Sequence, residues 1–175
     1  PVIAELSDER DTEMLVQKVS NLDNLSLLIN NAGFGTTGLF HEESAKTQAA
    51  MVKCHVLAPV LLMHAALPGM IRAGEGAVIN VSSVRAFGPG IRTAVYASAK
   101  AFLNSLSQST SLELAGTGVK VQVLCPGYTM TDILKTVPQD LLDKFAAMTM
   151  LGRLGQPHEI AQAALFLASD ESSYI

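Results

Sequence analysis

The chain has 175 residues, 49% of them hydrophobic, and a formal net charge of −4. That length gives one domain by default, with apolar content ample for a core. The acidic balance leaves no basic footprint for nucleic acid and no Lys/Arg run for an anionic membrane surface.

Pro1 to Leu6 reads as the end of a strand. No leader pattern opens the chain, and Pro1-Val2-Ile3-Ala4 begins as if in mid-strand, so the sequence reads as a fragment. Ser7-Asp8-Glu9 then sets a cap and two acids where a helix dipole favours them. Met14, Leu15 and Val19 supply that helix with apolar contacts. Leu25 to Ile29 is a short apolar run, consistent with a buried strand, and it feeds Asn30-Asn31-Ala32-Gly33. Small residues there let a ligand approach the backbone closely, and they equally make an ordinary Asn/Gly turn.

Phe34 to Leu39 is a Gly/Thr loop, and Glu42 to Met70 reads as a helix interrupted near Pro59 and ended by Pro68-Gly69. Its most apolar part, Val56 to Ile71, holds Pro59, His64, Pro68 and Gly69 and falls short of the ~20 residues of a membrane span. Gly74 to Gly76 is a turn. Val78 to Val81 is apolar and β-branched, a buried strand ending at Ser82-Ser83. A Gly88-Pro89-Gly90 loop leads to a helix carrying Tyr96 and Lys100, which continues through Ala101 to Leu114. Gly116-Thr117-Gly118 turns into a strand over Val119 to Leu124, closed by Cys125-Pro126-Gly127. Asp132 to Leu151 is helix-like and bears Met148 and Met150. Ile160, Ala163, Ala164 and Leu167 recur at helical spacing in a last helix, Pro157 to Ala168, before the chain stops at Ser173-Tyr174-Ile175. Cys54 and Cys125 make no disulfide framework, which fits a reducing cytoplasmic setting, and they read first as small buried hydrophobes.

The strongest chemical signal lies between Ser83 and Lys100. In open α/β sheets chemistry gathers at strand carboxyl ends, where Ser83 stands. Tyr96 and Lys100 are four apart and share one helix face. A phenol titrates at ~10 and needs a shift of about 4 kcal/mol to exchange protons near neutrality. One ammonium ~5 Å away supplies roughly 3 kcal/mol at an effective dielectric of ~20. A Tyr and a Lys on one face are also, more plainly, a half-buried ring beside a snorkelling amine.

Asn30-Asn31-Ala32-Gly33, Ser83, Tyr96-x-x-x-Lys100 and Pro126-Gly127-x-Thr129-x-Thr131, in this order, resemble the short-chain dehydrogenase/reductase family over almost the whole chain. The tail from Gly152-Arg153-Leu154-Gly155-Gln156-Pro157 is similar to 3-oxoacyl-carrier-protein reductases. The resemblance implies a partial Rossmann-like α/β fold, a doubly wound parallel sheet with flanking helices in one domain truncated at both ends. It implies hydride transfer between NAD or NADP and a carbonyl or secondary alcohol. Ser83, Tyr96 and Lys100 would be catalytic, with His55 at a position where the family usually carries Asn and holds a relay water. Glu5 and Leu6 would meet the adenine. Asn31, Ala32 and Gly33 would pack on the ribose, which Lys100 and Tyr96 would also bond. Pro126, Gly127, Thr129 and Thr131 would hold the nicotinamide carboxamide. No metal ligands are implied, and the helices around Tyr96 would build a homo-oligomer, dimer or tetramer. The glycine loop G-x-x-x-G-x-G that cradles a pyrophosphate does not occur in the sequence, so NAD and NADP stay equal alternatives. The other readings are a non-catalytic cofactor-sensing or scaffold protein on the same fold, and a nucleotide-sugar epimerase or dehydratase, against which the Asn-Asn-Ala-Gly motif argues.

Overall fold

Three short apolar strands, β1 (Leu27–Asn30), β2 (Gly76–Val81) and β3 (Val119–Leu124), form one parallel sheet in that order. A computed structural model describes residues 1–135 and 137–173 of the chain; Thr136 and the end at Tyr174-Ile175 lie outside them. The register sets Asn30 beside Asn80 and Val81 beside Leu124, so the three carboxyl ends lie on one rim. Parallel neighbours cannot be joined by a tight turn, and helices make the crossovers. These are α1 (Glu9–Ser20) before β1, α2 (Ala45–Val52) and α3 (Ala58–Ala73) between β1 and β2, and α4 (Ala94–Glu113) between β2 and β3. Beyond β3 come α5 (Gln139–Ala147) and α6 (Pro157–Ala168).

The core follows from the strand period of two. Val78 faces Met63, Ala66 and Met70 of α3, with Val19 of α1 and Leu106 of α4 packed against the same cluster. Ala77 and Ile79 point to the other face, and Ile79 is wholly buried. There α6 meets β2 and β3 without joining the first cluster. Helices on both faces of a parallel sheet make the α/β, Rossmann-like class expected from the sequence.

Pro1 to Leu6 is not a strand. An extended segment becomes a strand only beside a partner ladder, and here the polar groups turn to α1 instead. The Glu5 N–H donates to Asp11 Oδ2 at 2.7 Å, and the Thr12 hydroxyl reaches the Leu6 carbonyl. The helix starts one residue later than the Ser7-Asp8-Glu9 signal suggests: Asp8, and not Ser7, caps α1 by accepting the N–H groups of Arg10 and Asp11, because the Ser7 hydroxyl donates to Glu5 instead.

The long helix also differs from expectation. It starts at Ala45, capped by Ser44, runs without a break past Pro59 and Pro68, and ends where Gly74 takes φ 72°. The irregularity is a π-helical turn over Lys53–Leu57, just before Pro59, whose widened hydrogen-bond ladder accommodates a residue with no N–H to donate. The helical stretch Ala45–Ala73 contains an 18-residue window of mean hydropathy 1.7, long and apolar enough to cross a membrane by composition. Met51, Cys54, Ala58, Leu62, Met63, Ala66 and Met70 are nevertheless buried in this chain, so the segment serves as the core helix. Asp132 to Leu151 is not one helix either. A 3-10 turn at Asp132–Leu134 is separated from α5 by Pro138, which takes the N-cap position.

Candidate active site

β2 ends at Val81, and the next two residues divide the work of the rim. The Ser82 hydroxyl donates to the Lys100 carbonyl at 2.8 Å and binds the sheet to α4. Ser83 begins the 3-10 turn Val84–Phe87, where its Oγ accepts the Arg85 N–H. Tyr96 lies in the first turn of α4 and Lys100 one turn on, as the four-residue spacing predicts. The Lys100 ammonium donates to the Val81 carbonyl at 2.7 Å and stands 5.7 Å from the centre of the Tyr96 ring. It is 4% exposed. Burial pulls its pKa down to about 8, against the opposing pull of the Cys54 and Cys125 thiols. Three donors on one ammonium leave two for other partners.

His55 lies in the π-helical turn and is 2% exposed. Its ring stands edge-on to Tyr96 and tilted over Phe34. Nε2 is 2.7 Å from the Phe34 carbonyl and 3.2 Å from the Phe34 N–H. One nitrogen cannot serve both, and the shorter contact assigns the proton to Nε2. That leaves Nδ1 a buried acceptor with no partner among the described residues. Burial first, then the charge of Lys100, lowers the imidazole pKa to about 4, so the ring is neutral. The imidazole also explains Gly33: a Cβ there would lie 2.1 Å from His55 Cε1.

The rim gathers the other expected residues unequally. Asn31, Ala32 and Gly33 follow β1 and are exposed. The Pro126 carbonyl accepts the Val84 N–H, which ties the loop after β3 to the one after β2. Gly127 is exposed with open space where a Cβ would be. Thr129 Oγ1 donates to the Gly127 carbonyl, and Thr131 makes no side-chain cap at the turn it precedes. Glu5 points back to its own turn: Ser7 donates to it through N–H and hydroxyl, which lowers the carboxyl pKa. Leu6 is half-buried beside it. The bare backbone at 31–33 and 127, the Lys100 ammonium and the Thr131 hydroxyl, which has no side-chain partner among the described residues, fit the nicotinamide and ribose half of a dinucleotide. No group of His, Cys, Asp or Glu among the described residues could hold a metal.

Two supports were missed from the sequence. Asn80, wholly buried in β2, accepts from the Asn30 amide at 2.8 Å and donates to the Ser107 hydroxyl at 2.9 Å. This links the first residue of Asn-Asn-Ala-Gly to α4 through the sheet. The signal was a lone amide inside a β-branched run. Arg153 and Glu159 form a bidentate pair at 2.6 and 2.8 Å, and Glu159 also accepts the Gln156 N–H. The Arg153 guanidinium holds the Glu159 carboxyl at about 2. This pair starts α6, while Gly155 bonds the backbone of Tyr128 and Met130 and anchors the loop that bears Thr129.

Known proteins share this frame. The sequence matches the family model described as enoyl-(acyl carrier protein) reductase over residues 2–175. It is 38% identical over 151 residues to 2,5-dichloro-2,5-cyclohexadiene-1,4-diol dehydrogenase LinX of Sphingobium indicum, covering 86% of this chain and 60% of that protein. It is 30% identical over 176 residues to 3-oxoacyl-(acyl-carrier-protein) reductase FabG of Thermotoga maritima, covering all of this chain and 72% of that one. A solved structure described as a candidate NAD(P)-dependent gluconate 5-dehydrogenase of Beutenbergia cavernae, with NADP at low occupancy, superposes with a TM-score of 0.92 at 26% identity, over 99% of this chain and 71% of that one. The chain thus spans about 60% of the length of the first of these relatives. With the motifs on one rim and the family match running through residue 175, the chain belongs to the short-chain dehydrogenase/reductase family.

Proposed function

We propose that this protein is an NAD(P)-dependent oxidoreductase acting on a carbonyl or secondary alcohol. The observation that carries this reading is the Lys100 ammonium, buried under the Tyr96 ring and fixed to the Val81 carbonyl one strand-end away from Ser83. Ser83 donates a hydrogen bond to the substrate oxygen. Tyr96 gives its phenolic proton to that oxygen in reduction and takes it back in oxidation. Lys100 holds positive charge beside the phenol and turns its remaining donors toward the ribose. Asn31, Ala32, Gly33, Pro126, Gly127, Thr129 and Thr131 shape the pocket for the nicotinamide half, and Glu5 and Leu6 border the adenine end. When bound, the cofactor supplies the hydride. His55 packs against Tyr96 and keeps the phenol in one orientation.

Membership of the family supports this reading, as does NADP in a structural neighbour at the same fold. A second copy of the chain suits the groove between Phe40, Val52, Val56 and Val95, with Phe102 and Leu112 also exposed on the same helix α4. The test follows cofactor absorbance for the full-length protein with NADH and NADPH against a panel of ketones and 3-oxoacyl thioesters. Turnover with either cofactor is expected. Cofactor binding without turnover of any substrate would favour a cofactor-binding protein without catalysis.

A further inference from the structure

Arg92 is the one residue other than glycine with positive φ, 63°, among the described residues. A side chain in that conformation crowds its own backbone, and such outliers at a site point to a use for the side chain. The backbone is pinned there. The Gly38 N–H donates to the Arg92 carbonyl at 3.0 Å, and the Thr93 N–H donates to the Gly90 carbonyl at 3.1 Å. Arg92 lines the same depression as Tyr96, with Thr36, Phe40, Gln48 and Met51. Its guanidinium is exposed and has neither a carboxylate nor a hydrogen-bond partner among the described residues.

Charge distribution points the same way independently. The chain has 16 acids against 12 Lys and Arg, yet residues 76–112 contain no Asp or Glu. That stretch carries Ser83, Tyr96 and Lys100, and its other cations are Arg85 and Arg92. The guanidinium of Arg85, two residues after Ser83, donates to the Tyr128 hydroxyl at 3.0 Å and pairs with no carboxylate among the described residues. Glu43 folds against Gly38, which bonds the Arg92 carbonyl, yet no ion pair joins Glu43 to Arg92 among the described residues. Among the described residues Arg92 is thus an unpaired cation in the depression that Tyr96 lines, and such a charge draws ligands of the opposite sign.

We propose that Arg92 binds an anionic group, carboxylate or phosphate, on the substrate, which is then an anionic ketone or secondary alcohol. The planar fork of a guanidinium matches either anion through two parallel hydrogen bonds. The inference rests on the oxidoreductase reading and adds the substrate class to it. The test compares three ketones of matched length in the full-length protein: a 3-oxo carboxylate, its methyl ester and a phosphomonoester. Wild type is expected to favour one or both anions over the ester by tenfold or more in kcat/KM, chiefly through KM, and the stronger anion identifies the group. Arg92→Gly suits the left-handed backbone and therefore folds. In it the anion-to-ester ratio is expected to fall to near one, while Arg92→Lys keeps part of it. Equal turnover of ester and anions in wild type overturns this inference alone, as does an anion preference that survives Arg92→Gly. Turnover of none of the three overturns this inference, and the oxidoreductase reading falls with it only when the wider ketone and thioester panel is not turned over either.

Discussion

The imidazole of His55 stands edge-on to the phenol of Tyr96, with ring centres 5.6 Å apart and planes at 86°. Its proton sits on Nε2, committed to the Phe34 carbonyl, so the ring is fixed at one end while its edge meets the tyrosine. A neutral imidazole kept from protonation by burial has a signature in acid. Its folded pKa, about 4, lies below the unfolded value of 6.5, so the unfolded chain takes up the proton first. The contribution is intact above pH 6.5 and is lost as pH falls toward 4, by up to ~3 kcal/mol. Denaturant unfolding between pH 7 and 4.5 should show this loss in wild type and a flatter profile in His55→Asn. Parallel profiles would mean that His55 is not held neutral by the fold.

Gly33 and His55 are coupled by contact. Gly33→Ala is expected to cost about 1–3 kcal/mol, because its methyl carbon would fall on the imidazole. In a double-mutant cycle with His55→Ala the two costs should sum to more than the double variant loses. Additive costs would show that Gly33 is needed for its backbone alone.

Asn80 tests the buried network. Asn80→Ala leaves the Asn30 amide and the Ser107 hydroxyl without a shared partner inside the sheet. A loss of about 1–3 kcal/mol is expected on urea unfolding. A loss below the error of the measurement would mean that these groups find other partners.

Lys100 works against stability near neutrality. Its folded pKa, about 8, is below the unfolded 10.5, so the unfolded chain binds more protons between those values. Stability should therefore rise as pH goes from 8 to 10.5, by up to ~3 kcal/mol. Comparison with Lys100→Gln isolates this rise from those of other lysines, and equal slopes in the two proteins would contradict it.

Much of this architecture was legible because it depends on local chemistry. β3 and α6 fall where their apolar period and flanking Gly and Pro signals put them, and Tyr96 and Lys100 share a helix face as their spacing requires. Ser83, the Asn-Asn-Ala-Gly turn and the Pro126-Gly127 loop share one rim because parallel strands align their carboxyl ends. What escaped depends on partners. Pro1 to Leu6 has the composition of a strand but makes its hydrogen bonds to α1. Pro59 and Pro68 are helix breakers by propensity, yet burial of Met63, Ala66 and Met70 carries the helix through them. The π-helical turn that places His55 has no residue signal of its own. Nor does the sequence show that Arg92 is held at positive φ, since that follows from the bond between its carbonyl and Gly38.

Tyr96 is the residue proposed to exchange the substrate proton. That role is tested most directly by Tyr96→Phe in the full-length protein, with cofactor binding and ketone reduction measured on the same sample. The ring and its contact with His55 are kept, and only the hydroxyl is lost. Cofactor affinity is expected within a few-fold of wild type and turnover reduced at least ~10²-fold, the lower range for a lost general acid. Turnover within a few-fold of wild type would place the proton donor elsewhere and contradict the assignment.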